Sequence, residues 1–180
     1  GINLAKESFS NPYRLDTVGI AATRLNATIL QQSLLDIGCS VSPTIPTSTA
    51  QAADLLQSHN IIVMGGTKPG HTTDAVSVAL ARDCGSSYCV IATNVGHIHD
   101  SDPKLNPDAK PIEELTLSEL SKITGEEALS PGQSAAVDPI AVQRAMDAGI
   151  KLAVVDGRDL SRIEDALEGR PFVGTLVKVG

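Results

Sequence analysis

Tryptophan is absent from these 180 residues, and aromatic side chains make up 2% of them. Base-stacking and sugar-stacking surfaces are thereby excluded, and the core has to be aliphatic. Basic residues are also few: 14 Lys and Arg against 21 Asp and Glu leave a net charge of −7. No basic stripe exists to neutralise a phosphate polymer or an anionic membrane, so neither partner is expected. Cys39, Cys84 and Cys89 are odd in number and lack a Cys-x-x-Cys spacing. That argues against a disulfide framework or a zinc site and fits a reducing, cytoplasmic setting. No apolar run reaches the length of a membrane-spanning helix, and the first residues lack a basic region followed by an apolar one. The chain opens on Gly1 rather than Met, from which the start of a longer protein is expected to be absent.

What is present is enough aliphatic material for one substantial core. At 42% hydrophobic, the chain is expected to form a single domain over residues 1–180. Apolar runs predict strands at 61–64, 88–92, 152–155 and 173–179. Helical patterns lie between them at about 23–37, 49–58, 73–84, 117–124, 139–148 and 160–167. Alternating strands and helices imply a layered α/β fold with a mostly parallel sheet. Asp138 followed by Pro139 predicts a helix start, and Gly149 a stop. Residues 100–111, with three prolines among charged side chains, predict a surface loop.

The string Ile61-Ile62-Val63-Met64-Gly65-Gly66-Thr67-Lys68-Pro69-Gly70-His71-Thr72-Thr73-Asp74 carries the most chemistry. It predicts a strand, a Gly/Thr loop and a helix start at Asp74. Glycines let a ligand approach the backbone, Thr67, Thr72 and Thr73 offer hydroxyls, and the amides of Asp74, Ala75 and Val76 would face a phosphate. The glycine spacing is that of a Walker A loop, but His71 stands where such a loop needs Lys. A histidine of ordinary pKa is mostly neutral at pH 7, so a true P-loop is disfavoured. A small anion remains the expected ligand.

Residues 94–103 hold His97, His99, Asp100 and Asp102. Alternate histidines with two carboxylates could ligate a metal, yet loops of this composition are commonly just solvated. No protein-built metal site is assigned, because a magnesium ion carried by a nucleotide needs no such cage. Asp16 precedes Gly19 and an amphipathic helix bearing Thr23, Arg24 and Asn26. In isolation, Asp16 reads as a turn cap and Arg24 as a surface or interface charge. In Val154-Val155-Asp156-Gly157-Arg158-Asp159 the charges read as structural, with Asp159 capping a helix.

Taken in order, Leu15-Asp16-x-x-Gly19-Ile20, Thr23-Arg24-Leu25-Asn26-Ala27, the string from Met64 to Ala75, Thr93-Asn94-Val95, Asp102-Pro103, Val137-Asp138-Pro139 and Val155-Asp156-Gly157-Arg158-Asp159 resemble the archaeal type of uridylate kinase. The resemblance runs over nearly the whole chain. It implies the amino-acid-kinase fold, an open three-layer α/β/α sandwich, and transfer of the ATP γ-phosphoryl group to UMP with Mg2+. Thr67, Lys68, Pro69, Gly70, His71, Thr72 and Thr73, with Asp16, would then bind UMP. Thr93, His99 and Asp102 would contact ATP, while Gly65, Gly66 and Asp74 support the loop. The family usually reads Thr-Asn-Val-Asp-Gly-Val-Tyr where this chain has Thr93-Asn94-Val95-Gly96-His97-Ile98-His99. An acid is thereby lost and an imidazole replaces a phenol ring. Family members also carry a strand, a Lys, Gly-rich loops and an Arg ahead of the Asp16 region, so the catalytic groups are expected upstream of Gly1. The alternative is a non-catalytic or storage-type relative with the same fold. The resemblance further implies a homo-oligomer, a hexamer built from dimers.

Overall fold

The computed structural model describes residues 10–101, 106–125 and 137–180. Its contacts divide between two units, Gly1–Cys84 and Gly85–Gly180. Across the described residues the architecture is α/β, with six helices and a mostly parallel sheet.

In the first unit, helix α1 spans Pro12–Asp36, starting eleven residues earlier than the sequence pattern suggested. The cause is local. Asn11 accepts the Arg14 amide hydrogen and Pro12 occupies the first turn, a position where its missing N–H costs nothing. Asp16 therefore lies inside a helix, not in a turn before one. The inner stripe of α1 buries Ala27 and Gln31. Ala27 packs with Val41 and Val63, and Leu34, Ile45 and Ile61 extend that cluster. Gln31 is 2% exposed and satisfies its amide by donating to the Ser42 carbonyl at 2.8 Å. Helix α2, Thr49–Leu55, is tied to helix α3, Thr73–Asp83, by the Thr49 hydroxyl, which donates to Asp83 at 2.6 Å. That bond, ahead of the neighbouring Arg82, holds the Asp83 carboxyl below its ordinary pKa.

The strand predicted at 61–64 is not a regular strand. A ladder needs a partner, and among the described residues Ile61 makes a single parallel bridge, to Val41. Residues 62–64 belong to no regular element.

In the second unit, β1 (Tyr88–Thr93) pairs in parallel with β5 (Lys151–Asp156), β5 pairs antiparallel with β6 (Gly174–Lys178), and β6 pairs in parallel with β4 (Glu114–Thr116). The sheet order is thus β1-β5-β6-β4. Leu152, Ala153, Val154 and Val155 are all fully buried, so β5 is covered on both faces, which explains its unbroken apolar run. One face, through Ala153 and Val155, meets Ala166 and Ile163 of α6, Leu160–Glu168.

Helix α4, Leu117–Thr124, opens with a capping box between Thr116 and Glu119, and packs on α5, Pro139–Ala148. Asp138 caps α5 by accepting from the Ile140 amide, and left-handed Gly149 ends it, as the sequence indicated. A short ribbon of β2 (Ile98–His99) and β3 (Pro111–Ile112) is hydrogen-bonded to the buried side chain of Thr175 in β6. The Thr175 hydroxyl accepts the Ile98 amide hydrogen at 2.9 Å and donates to the Ile112 carbonyl at 2.6 Å. Gly174 is required by proximity: a Cβ there would lie 2.4 Å from the Val154 carbonyl oxygen.

Candidate functional site

The Gly/Thr loop in the first unit is gripped by α1. Positions 16, 20, 23 and 24 fall on one side of a helix, because 3.6 residues complete a turn. From that side Asp16 accepts the Gly70 amide hydrogen at 2.7 Å, where Gly70 has a φ of +81°. Thr23 accepts the Gly66 amide hydrogen at 2.8 Å while its own hydroxyl donates back to the Ile20 carbonyl. Arg24 is not a surface charge. Its Nε donates to the Gly66 carbonyl at 3.0 Å and its Nη2 to the Thr67 carbonyl at 3.1 Å. The loop lies close enough to the helix that a Cβ on Gly65 would sit 2.7 Å from the Arg24 nitrogen.

A cavity of about 500 Å³ runs beside this contact. Asp16, Lys68, His71, Thr72 and Thr73 contribute its polar wall, and Ile20, Val63, Val76 and Leu80 part of its apolar one. Gly65 and Gly66 also face it. Five of the eight residues expected at the acceptor site therefore share one cavity. Of the other three, Gly70 and Thr67 are held by Asp16 and Arg24, and Pro69 stands between them.

The helix start differs from expectation in one chemically relevant way. Thr72, not a residue at 74, caps α3; its side chain accepts the Ala75 amide hydrogen at 3.2 Å and its carbonyl takes that of Val76. The Ala75 and Val76 amides counted on for an anion are thus already used within the helix. Asp74 sits in the first turn, where its charge opposes the positive end of the helix dipole.

In the second unit, Thr93 ends β1 opposite Asp156, which ends β5. The Gly157 amide donates to the Thr93 carbonyl at 2.7 Å, so the chain leaving β5 closes over the end of β1. Asp156 accepts both guanidinium arms of Arg158, at 2.8 and 2.6 Å, and the Arg158 amide besides. Those bonds hold its carboxyl well below the usual carboxylate range. Asp159 caps α6 by accepting from Ser161 and is also paired with Arg162.

His99 lies in β2 opposite Pro111. His97 is pushed below its ordinary pKa by burial, then by His99 and Arg162, against a smaller pull from Glu113. Asp100 accepts from the Lys110 amide and the Ser101 hydroxyl, which makes it a turn-holding residue and keeps its carboxyl low. Asp102 lies outside the described residues. Among the described residues no three His, Cys, Asp or Glu side chains converge in a way that could hold a metal ion. Nor is any described helix long and apolar enough to cross a membrane.

Sequence reasoning missed Arg24 and Thr23 as loop-holding residues. The only sequence signal was their helical spacing from Asp16, and nothing local says that their partners stand more than forty residues away.

Residues 3–156 match the amino acid kinase family. The uridylate kinase of Methanococcus vannielii is 39% identical over 176 residues, covering 98% of this chain and 76% of that protein. The uridylate kinase of Pyrococcus abyssi is 36% identical over 177 residues, with 98% and 77% covered. Among solved structures, that of uridylate kinase from Archaeoglobus fulgidus superposes with a TM-score of 0.82 at 32% identity, covering 98% of this chain and 77% of the other. The chain thus spans about three-quarters of the length of each of these relatives. A match of this extent, on a fold with the same mostly parallel sheet, places the chain in the amino acid kinase family, among the uridylate kinases.

Proposed function

We propose that the chain is a UMP kinase that moves the terminal phosphoryl group of ATP to UMP, giving UDP. The observation that carries the acceptor assignment is the α1-gripped loop of residues 65–73 beside its cavity. There Asp16, Lys68, His71, Thr72 and Thr73 surround a space suited to a mononucleotide. Lys68, exposed on the loop, adds a positive charge that a phosphate monoester requires. The Asp16 carboxylate, fixed by the Gly70 amide, would present its remaining lone pairs to a donor on the same ligand.

The ATP side is assigned to Thr93, His99 and Asp102. The strand-end placement of Thr93 supports this reading by the general habit of α/β sheets to bind ligands there. Phosphoryl transfer asks little covalent chemistry of a protein; it asks for in-line positioning and stabilisation of charge on the moving group. Mg2+ would arrive on the ATP phosphates and neutralise that charge, a role needing few protein ligands. Residues 1–180 are read as part of a single amino-acid-kinase domain, working in the cytoplasm as a homo-oligomer, a hexamer by family resemblance.

The test is direct. UMP, ATP and Mg2+ incubated with the folded protein should yield UDP and ADP in equal amounts. Calorimetrically tight UMP binding with no UDP formed would overturn the transfer and leave a nucleotide-binding protein.

A further inference from the structure

Resting on the reading of residues 65–73 as the acceptor loop, we infer that Arg24 is its positioning residue. It acts by turning two peptide units rather than by touching the phosphate. Its guanidinium is committed: Nε and Nη2 donate to the consecutive carbonyls of Gly66 and Thr67, a planar fork meeting two acceptors at once. No described peptide bond is cis, and in a trans peptide the C=O and N–H point in opposite directions. Drawing the Gly66 and Thr67 carbonyls onto α1 therefore directs the N–H groups of Thr67 and Lys68 away from α1. Among the described residues neither of those N–H groups has a hydrogen-bond partner.

Four other amides nearby are engaged. Gly66 N–H goes to Thr23, Gly70 N–H to Asp16, Ala75 N–H to the Thr72 side chain and Val76 N–H to the Thr72 carbonyl. The Thr67 and Lys68 amides thus form an adjacent pair of donors for an oxyanion, and Arg24 sets their direction. The same arginine neutralises the two carbonyl dipoles that would otherwise be free to turn toward an anion and repel it.

A point charge cannot replace this fork. A Lys at position 24 would carry its donors on one nitrogen at the end of a flexible stem, without the planar fork whose spacing matches two consecutive carbonyls. Gly65 and Thr23 complete the device: the first allows the helix backbone to come within contact distance, and the second fixes the Gly66 amide from the same turn.

The experiment compares the parent chain with Arg24→Lys and Arg24→Gln in three measurements: calorimetric titration with UMP, titration with ATP, and amide hydrogen exchange without ligand. In both variants the UMP dissociation constant is expected to rise about tenfold or more, with ATP affinity unchanged within about twofold. The Gly66 and Gly70 amides should exchange about tenfold faster while α1 and α3 keep their protection. Parent-like UMP affinity in Arg24→Lys would show that charge alone suffices and would overturn the assignment. So would unchanged exchange at Gly66 and Gly70. Protection lost throughout α1 would make Arg24 a folding residue, which also defeats the inference. The exchange measurement needs no nucleotide, so a parent chain that binds no UMP refutes the acceptor reading separately.

Discussion

The Gly/Thr loop of the first unit and the strand ends of the second are held by different parts of the chain. Around residues 65–70, side chains of α1 reach across 42 to 54 positions to hold loop backbone: Arg24 to Gly66, Thr23 to Gly66 and Asp16 to Gly70. Around Thr93 and Asp156 the long-range ties are main chain to main chain, through the β1–β5 ladder and the Gly157 amide. The charged side chains there pair with close neighbours, Asp156 with Arg158 and Asp159 with Arg162. The lesson is that the loop of the first unit is held by side chains that α1 carries, whereas the strand ends of the second are held by backbone geometry.

The sharpest way to break this contrast is to disturb backbone approach in the second unit. Gly174→Ala would place a carbon against the Val154 carbonyl and should cost about 3 kcal/mol, read by denaturant unfolding. Stability equal to the parent would show that the strand ends do not rely on that close approach. Next in size is Gly65→Ala, whose Cβ meets the Arg24 backbone. We expect a loss of about 1–3 kcal/mol, together with UMP affinity weakened about tenfold. Retained UMP affinity would mean the α1 grip is not what shapes the acceptor loop.

A smaller effect concerns pH. The folded-state pKa of His97 lies below the ordinary 6.5, so the unfolded chain takes up this proton first, and stability should fall as pH drops below 6.5. In His97→Gln that share of the acid sensitivity should disappear from melting curves recorded between pH 7 and 5. An unchanged slope would reassign it to other groups. The smallest effect is expected at the Arg158 to Asp156 pair, whose arginine side chain is 72% exposed. Arg158→Gln should move the melting temperature by no more than about 2 °C, since exposed pairs contribute little. A larger drop would show that the strand ends also depend on side-chain charge.

Much of this fold could be read from neighbouring residues. Asp138-Pro139 with Gly149, the Asp159 cap and the apolar runs of β1, β5 and β6 each carry their cause within a few positions, so their places were evident. The start of α1 had a local cue in Asn11-Pro12, but apolar residues on several sides, including exposed Leu25 and Ile29, blurred the pattern that should have announced it. Residues 61–64 looked like a strand because their composition is one; a strand, however, is a relation between segments, and only Val41 supplies it here. The loop of residues 65–73 was legible as a glycine- and threonine-rich turn between an apolar run and a helix. Which amides remain available was not, since that depends on Thr72 closing α3 and on an arginine forty-two positions away.

The Thr175 hydroxyl ties two arms of the second unit together. It is acceptor to one arm of the β2–β3 ribbon and donor to the other, so one oxygen atom binds both arms of the ribbon bearing His99 to β6. Only a residue that both gives and receives a hydrogen bond in that small buried space can do this, which leaves Ser as the natural substitute. An isosteric Val would fill the volume but orphan the Ile98 amide and the Ile112 carbonyl together. A change at 175 would loosen the ribbon without altering a single residue assigned to ligand binding.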